Sequence, residues 1–485
     1  MIASGYRYLS LLFLLMAVHG ATAHGEEPLL LTEDSGALLE LDGETRLVVE
    51  GLQGTIGVRA GLPGEIRFEA RTRDNRRDPR IVGLWADGPT LRIGPVEGDD
   101  GAGTLIEITV PEGFDVQVEA VDSLLKTSAL SGGFRVGGTN VDLSARGMKG
   151  TIDVDVHGGK IFVSGTEEAL TIEGRELNIV VEYARAPVYL AVVESVIELS
   201  GSRDATEGEI EKTTLEAVGL EGPVNLAAIE SEVSLDRATL DGTLDLEQTP
   251  LVLSQTTGTL EVRTDATVQF TGHDGGLKIE GYGAAVRGSG GEGVLEIATD
   301  GAEVRLEQIA SQIQVRGQDL DLQMLNCNGD ATVETTGSRI VVKKAGGALV
   351  LHNEFGDIEV SEAAGAVDIA SRDGDVFLTG LKAALNLKAE GGEVEVGWVS
   401  MAKPEDCTIE GTGGDVRVVL PGAVNVRLDA EARHGQIETD LPGIEVSGDG
   451  HSASGIVGRG RGSPQAKRPT VRVRSGGDLY LSFRQ

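Results

Sequence analysis

Aliphatic residues recur every nine positions through the centre of this chain, and this period constrains the fold more than any other feature. A second apolar residue follows two positions after nearly every one of them, with Gly288 as the exception. Apolar residues spaced by two are typical of a short strand with one buried face. A fixed long period indicates stacked repeats rather than one globular core. The repeat positions are Leu277, Val286, Leu295, Val304, Ile313, Leu322, Ala331, Ile340, Leu349, Ile358, Val367, Val376, Leu385 and Val394.

The turns between these units repeat every eighteen residues rather than every nine. We therefore predict an all-β fold, a right-handed parallel β-helix or solenoid with about 18 residues, two nine-residue strand units, per rung. Rungs should stack at the strand spacing of about 4.8 Å. A coil of three units, about 27 residues, is the alternative. The turns Gly356-Asp357, Gly374-Asp375 and Gly392-Glu393 alternate with Gly347-Ala348, Gly365-Ala366 and Ala383-Ala384.

The first residues have the composition of an export signal. Arg7 precedes an apolar run from Leu9 to Val18, and Ala21-Thr22-Ala23 forms a small-x-small cleavage site. This run is too short to span a bilayer, and no later apolar stretch is long enough. We therefore expect an exported protein, periplasmic or secreted, without a transmembrane segment. The predicted segments are a signal peptide (1–23), an N-terminal β region with capping rungs (24–120), the solenoid body (121–420) and C-terminal rungs with a basic Gly/Arg loop (421–485).

The chain is strongly acidic, with 42 Lys and Arg against 77 Asp and Glu and a net charge of -35 at pH 7. Nucleic acid and anionic lipid carry the same sign, so neither is expected as a partner. The charge favours the binding of cations, and it also keeps a long repeat protein soluble. Arg459, Arg461, Lys467 and Arg468 form the one basic cluster. That cluster is either a contact for an anionic wall polymer or a solvated loop.

Cys327 and Cys407 are the only cysteines. Eighteen-residue rungs would place them more than four rungs apart, roughly 20 Å along the solenoid axis. A disulfide requires two Cα atoms within about 7 Å of each other. We therefore expect two isolated thiols even in an oxidising compartment.

Motifs at both ends and in the body resemble those of the bacterial putative-adhesin family. They are the opening segment Glu50 to Val58, the strand end Val110-Pro111-Glu112, the Gly-Asp units at Gly356 and Gly374, and the closing segment Ser475 to Leu479. The resemblance implies an exported or envelope domain related to right-handed β-helices. It implies no catalytic residue, because the shared motifs contain none.

An eighteen-residue rung would stack one acidic column along the solenoid. Carboxylates at such a spacing repel one another, so the column should bind a hard cation such as Ca²⁺ weakly through oxygen ligands. The alternative is ordinary turn chemistry, in which Asp follows Gly and points into water. No other cofactor is expected. The column contains Glu303, Asp321, Asp357, Asp375 and Glu393, with Arg339 between the second and third.

The sequence favours a non-catalytic, exported β-solenoid of the cell envelope that acts as an adhesin or a scaffold. Its expected partner is an envelope polymer, a glycan or a protein, and we expect a monomer. The alternative is a carbohydrate-active β-helix enzyme, a polysaccharide lyase or hydrolase. For that alternative the sequence offers one cluster, Asp357, Asp375 and Arg339, since the histidines do not repeat in register.

Overall fold

The computed structural model describes residues 29–30, 37–40, 45–72, 82–96, 103–401, 405–458 and 468–484. Within these ranges the chain contains strands and turns but no helix, and all the strands belong to one hydrogen-bonded system. The predicted signal peptide (1–23) lies outside the described residues. So do Arg459, Arg461 and Lys467 of the basic loop.

The solenoid body is a stack of parallel strands in which each coil contributes two strands. Four long strands each cover both sides of a coil, and after them the two sides are separate strands, which form a first ladder and a second ladder. The long strands are Asp115–Ser128, Phe134–Arg146, Ile152–Ser164 and Leu170–Glu182. The first ladder continues with Val188–Val193, Thr206–Glu211, Glu221–Ile229, Thr239–Glu247, Thr257–Thr264, Asp274–Tyr282, Gly293–Asp300, Gln312–Gln318, Ala331–Thr336, Leu349–Glu354, Val367–Arg372, Leu385–Glu390 and Cys407–Gly411. The second ladder continues with Val196–Ser200, Thr214–Val218, Glu232–Asp236, Leu251–Ser254, Val268–Thr271, Val286–Ser289, Glu303–Glu307, Asp321–Leu325, Arg339–Lys343, Ile358–Ser361, Val376–Leu381, Val394–Trp398 and Val416–Leu420.

The register confirms the eighteen-residue coil. Ile358 pairs with Ile340 on one side and with Val376 on the other, all in parallel strands. The alternative coil of three units is therefore wrong. The register departs from eighteen residues at a few places. Leu251 pairs with Val268, so that coil is one residue shorter than the others. Val394 pairs with Val416, because extra residues are inserted before Val416.

The inward side chains form continuous aliphatic columns. Along Val367–Arg372 the side chains alternate, with Val367 and Ile369 buried and Asp368 exposed. Ile358 and Val376 are both 0% exposed. Each apolar residue therefore packs on its counterparts in neighbouring coils, and a single coil could not bury them alone.

Both cysteines are buried, free thiols, as the rung count predicts. Burial raises the pKa of the Cys327 and Cys407 thiols. Both thiols therefore stay protonated and act as small apolar side chains of the core.

The N-terminal strands stack out of sequence order. Arg46–Leu52 lies between the body strand Asp115–Ser128 and the later strand Thr90–Pro95, in parallel with both. Gly54–Ala60 lies in the same way between that body strand and Thr104–Val110. Antiparallel strands then cover this end: Leu29–Leu30, Ala37–Glu40, Glu65–Arg71 and Val82–Asp87.

The C-terminal end also departs from chain order. The last strands of the chain, Thr470–Ser475 and Leu479–Phe483, stack directly on Cys407–Gly411 and Val416–Leu420. The earlier strands Val426–Ala432 and Ile437–Thr439 stack on top of them. Ser452–Val457 and Ile444–Val446 then close this end with antiparallel pairing.

Left-handed backbone conformations mark both corners of most coils in the body. One corner column contains Asp319 (φ 54°), Gly337 (φ 70°), Phe355 (φ 61°) and Asp373 (φ 53°). Gly and Asp tolerate this conformation better than bulky residues do. Glycine therefore recurs at these corners, other coils have polar residues such as Glu194 or Lys212 there, and Phe355 is the aromatic residue among the left-handed positions of its column.

Some turn glycines serve a different purpose, the close approach of stacked backbones. Gly374 is not left-handed, but a Cβ there would lie 2.1 Å from the carbonyl oxygen of Gly356 on the adjacent coil. Any larger residue would push the two coils apart at this turn.

We expect Gly374→Ala to lower the free energy of unfolding by about 1–3 kcal/mol, the usual cost of overpacking. Gly422→Ala is the matched control, since nothing lies within 4 Å of its would-be Cβ. Urea denaturation followed by circular dichroism measures both. Equal stabilities for the two variants would contradict the close-approach argument.

Candidate binding groove and acidic column

The structure stacks the predicted acidic column as the register requires. Asp321 pairs with Glu303 below it and with Arg339 above it. Asp357 Oδ1 accepts a hydrogen bond from the backbone N–H of Asp375 at 3.1 Å. Asp375 Oδ1 accepts one from the N–H of Glu393 at 2.8 Å. These carboxylates therefore cap the backbone of the next coil.

The column extends beyond the residues that the sequence predicted. Asp415 Oδ1 accepts from the N–H of Asp478 at 2.9 Å, and Asp478 Oδ1 accepts from the N–H of Gln436 at 2.8 Å. The nine-residue period could not reveal this extension, because inserted residues precede Asp415 and the last coil is stacked out of chain order.

Arginines neutralise the other half of the column. Arg287 lies 3.0 Å from Glu303, and Arg339 lies 3.7 Å from Asp321. Over the described ranges, no group of three or more His, Cys, Asp or Glu residues is arranged to hold a metal ion. Calcium binding by the column stays a prediction.

Asparagine and alanine variants separate backbone capping from calcium binding. An Asp357→Asn, Asp375→Asn double variant keeps both Oδ1 acceptors, so without calcium its melting temperature should stay close to that of the parent. The corresponding double alanine variant should lose about 1 kcal/mol for each missing hydrogen bond. Melting temperatures are measured first with chelator and then with a few millimolar calcium. If calcium raised the melting temperature of the parent and of the asparagine variant equally, this column would be ruled out as the calcium site.

A second polar column is buried and was not predicted. The hydroxyl oxygens of Thr213, Ser231 and Thr249 accept hydrogen bonds from the backbone N–H of Ser195, Thr213 and Ser231, at 3.2, 3.0 and 3.0 Å. Each hydroxyl donates to the carbonyl oxygen two residues earlier. The recurrence of Ser or Thr every eighteen residues was the available signal. This column satisfies buried backbone groups and has no free hydroxyl for chemistry.

A groove of about 590 Å³ runs along one corner of the first ladder. Two outward columns form it, and their side chains are mostly charged or amide-bearing. Sequence reasoning did not find this groove. Its polar lining includes Asp300, Gln318, Glu334, Thr336, His352, Glu354, Arg372, Lys388 and Glu390.

Ion pairs between neighbouring coils run through the groove. Arg372 lies 2.9 Å from Glu354 on one side and 3.6 Å from Glu390 on the other. Lys388 lies 2.6 Å from Glu390. The Lys388 ammonium, followed by Arg372, holds the pKa of the Glu390 carboxyl below its ordinary value. Glu390 is therefore ionised at neutral pH and is a poor proton donor.

The floor of the groove is held by a buried amide. The Thr335 hydroxyl donates to Asn353 Oδ1 at 3.0 Å. Asn353 Nδ2 donates to the carbonyl oxygens of Ser338 and Gly356, at 2.7 and 2.9 Å. Asn353 is 2% exposed, so these bonds are shielded from water. The groove therefore has a preformed floor.

The residues that the sequence offered for catalysis form contacts that stabilise the fold. Asp357 and Asp375 cap backbone amides, and Arg339 pairs with Asp321. In the part of the chain that the structure describes, a histidine bonds a hydroxyl side chain at one place, Thr256 with His273 at 2.9 Å. His273 is 4% exposed, so a polymer substrate has no access to this pair.

Because His273 is buried, its contribution to the stability of the fold depends on pH. Desolvation lowers the pKa of its imidazole, so the ring is neutral in the folded protein. The unfolded chain titrates near the ordinary value of about 6.5 and therefore binds more protons as the pH falls below it. The stability contributed by neutral His273 is present above that pH and is lost as the pH decreases towards the folded-state pKa.

We expect the melting temperature to fall between pH 7 and pH 5, and His273→Gln to make this fall smaller. His157→Gln is the control, since His157 is exposed. Thermal melts in a series of buffers of equal ionic strength measure the effect. The same pH dependence in the parent and in His273→Gln would show that His273 does not contribute.

Comparison with known proteins assigns the chain to a family. The model of the family described as Toastrack DUF4097 matches residues 106–477, which is more than half of the chain. The chain belongs to the Toastrack family. The match extends from the strand Thr104–Val110 to the turn before Leu479–Phe483, and it confirms the family resemblance drawn from the sequence.

One solved structure is similar to part of this Toastrack protein. It is described as a putative cell adhesion protein from Clostridium sporogenes, with 12% identity. The similarity covers 39% of this chain and 96% of the other, with a TM-score of 0.17. No curated protein matches the chain. The described residues include no helix that is long and apolar enough to cross a membrane.

Proposed function

We propose that this Toastrack protein is an exported, non-catalytic binding protein of the cell envelope, an adhesin or a scaffold, whose ligand-binding surface is the groove of the first ladder. The observation that carries the proposal is the groove itself, with its rigid floor and its ion-paired walls. Preorganised surfaces of this kind lose little conformational entropy when a ligand binds.

The export signal predicted in residues 1–23 supports a periplasmic or secreted location. The net charge of -35 disfavours polyanionic partners such as nucleic acid. An envelope polymer, a glycan or a protein is therefore the proposed partner, and the protein is proposed to act as a monomer.

The groove carboxylates support binding rather than catalysis. A polysaccharide hydrolase needs one carboxyl with a raised pKa as its general acid and a second carboxylate near it. Glu390 is instead paired with Lys388 and Arg372, which favour its ionised form, and Glu354 is paired with Arg372. Hydrolase chemistry would require this pairing to be broken, so that one carboxyl could carry a proton.

An Arg372→Ala, Lys388→Ala double variant should bind isolated cell-envelope material at least tenfold more weakly than the parent chain does. The reason is that the walls of the groove would lose the cations that hold Glu354 and Glu390 in place. Sedimentation of the protein with purified envelopes measures the binding.

Arg135→Ala is the matched control, because Arg135 forms a similar ion pair with Asp153 on the adjacent coil, far from the groove. Equal binding by the double variant and the parent would contradict the proposed surface. Release of reducing ends or unsaturated sugars from a polysaccharide panel by the parent would contradict the non-catalytic assignment.

A further inference from the structure

We infer that the groove binds an uncharged polysaccharide chain along the solenoid axis, with Tyr282 and Phe355 as aromatic platforms for its sugar rings. This inference rests on the proposed function, since it names the ligand class of the same groove. It is carried by the position of two exposed aromatic residues beside the groove and by the pairing of charges in the groove walls.

Tyr282 lies one coil before Asp300, the first residue of the groove lining. Its Cα pairs with that of Asp300, which lines the groove, so the two side chains belong to the same corner column. Tyr282 is 78% exposed, the highest value among the large apolar and aromatic residues of the described chain. An aromatic ring so exposed contributes little to the core and is accessible to a ligand.

Phe355 stands further along the same corner. It directly follows Glu354, which lines the groove, and it is 56% exposed. Successive members of the corner column are Tyr282, Asp300, Gln318, Thr336 and Glu354, each one coil apart, so the two aromatic residues are roughly 20 Å apart along the axis. That separation matches several sugar rings rather than a single small molecule.

The backbone of Phe355 disfavours a purely structural role for its ring. Its φ of 61° lies in the left-handed region, and the other left-handed positions described for this corner column have Gly, Asp, Asn, Glu, Lys or Gln, with no other aromatic residue. A bulky residue is strained there, and its exposed ring gains little from burial. Glycine would suit the fold better at this position, so the fold does not require the ring and the ring is available to a ligand.

The charges of the groove favour a neutral ligand. Arg372 is already shared between Glu354 and Glu390, and Lys388 is paired with Glu390. An acidic polymer would compete with these carboxylates for the cations, and a basic polymer would compete with Arg372 and Lys388 for the carboxylates. Hydroxyl groups of a neutral sugar can add hydrogen bonds to the ionised side chains without breaking any pair.

The apolar faces of sugar rings also fit a surface that has aromatic and polar side chains side by side. A hexose has a face of C–H groups and a rim of hydroxyl groups, so it is complementary to an aromatic platform beside polar side chains. The amide of Gln318 and the hydroxyl of Thr336 lie in the column between Tyr282 and Phe355 and offer both donors and acceptors. An elongated neutral chain can use both platforms at once.

The test compares the full chain with three variants by isothermal titration calorimetry. The probes are a neutral glucan, a polygalacturonate and a chitosan of similar length. We expect preferential binding of the neutral glucan, with affinity at least tenfold lower in Tyr282→Ala and in Phe355→Gly. Phe355→Gly should also keep or raise the melting temperature, which excludes unfolding as the cause of lost binding.

Tyr183→Gly is the matched control. Tyr183 is also an exposed aromatic residue in a left-handed corner (φ 57°, 65% exposed), but it lies on the other corner and outside the groove. Its removal should leave glucan affinity unchanged, and an equal loss in Tyr183→Gly would overturn the assignment of platforms.

Two further outcomes separate this inference from the proposed function. Preference for polygalacturonate or chitosan would overturn the neutral ligand class while leaving the groove as a binding surface. Envelope binding that depends on Arg372 and Lys388 but not on Tyr282 or Phe355 would overturn the aromatic platforms alone. Absence of envelope binding by the parent, together with absence of glucan binding, would overturn both.

Discussion

The eighteen-residue hydrogen-bonded register is the constraint on which the rest of this structure depends. Because each strand bonds to the equivalent strand one coil away, most side chains of the body lie directly above and below residues eighteen positions distant. Chemistry is therefore organised in columns rather than in a single centre. Inward columns are mainly apolar or hydrogen-bonded to the backbone, because a buried polar group without a partner costs free energy.

The polar columns show how an acidic chain tolerates carboxylates that are stacked at strand spacing. Asp357 and Asp375 share a column, yet each directs an oxygen to a backbone N–H of the next coil. Elsewhere the repulsion is relieved by cations, as with Arg316 and Glu334, which lie 3.0 Å apart on adjacent coils. Exposed pairs of this kind contribute little individually, but their repetition keeps like charges apart.

The two ends of the stack are covered by additional strands. A parallel ladder ends in unpaired strand edges, which are templates for aggregation. Here each end is closed by antiparallel strands, such as Glu65–Arg71 and Ser452–Val457. The final coil, Thr470–Ser475 with Leu479–Phe483, lies inside the stack rather than at its tip, so the C-terminal cap cannot form before the last residues of the chain are in place.

The sequence by itself determined the strand period, the two-strand coil, the buried face and the separation of the two thiols, because each follows from apolar spacing and turn chemistry along the chain. It also determined that Glu303 through Glu393 would stack. Tertiary structure alone decided that Asp415 and Asp478 extend that column, since insertions and the order of the last coils break the period. It alone decided the groove between Asp300 and Glu390, because a groove depends on the lengths and pairings of outward side chains on adjacent coils, and outward positions carry no hydrophobic signal.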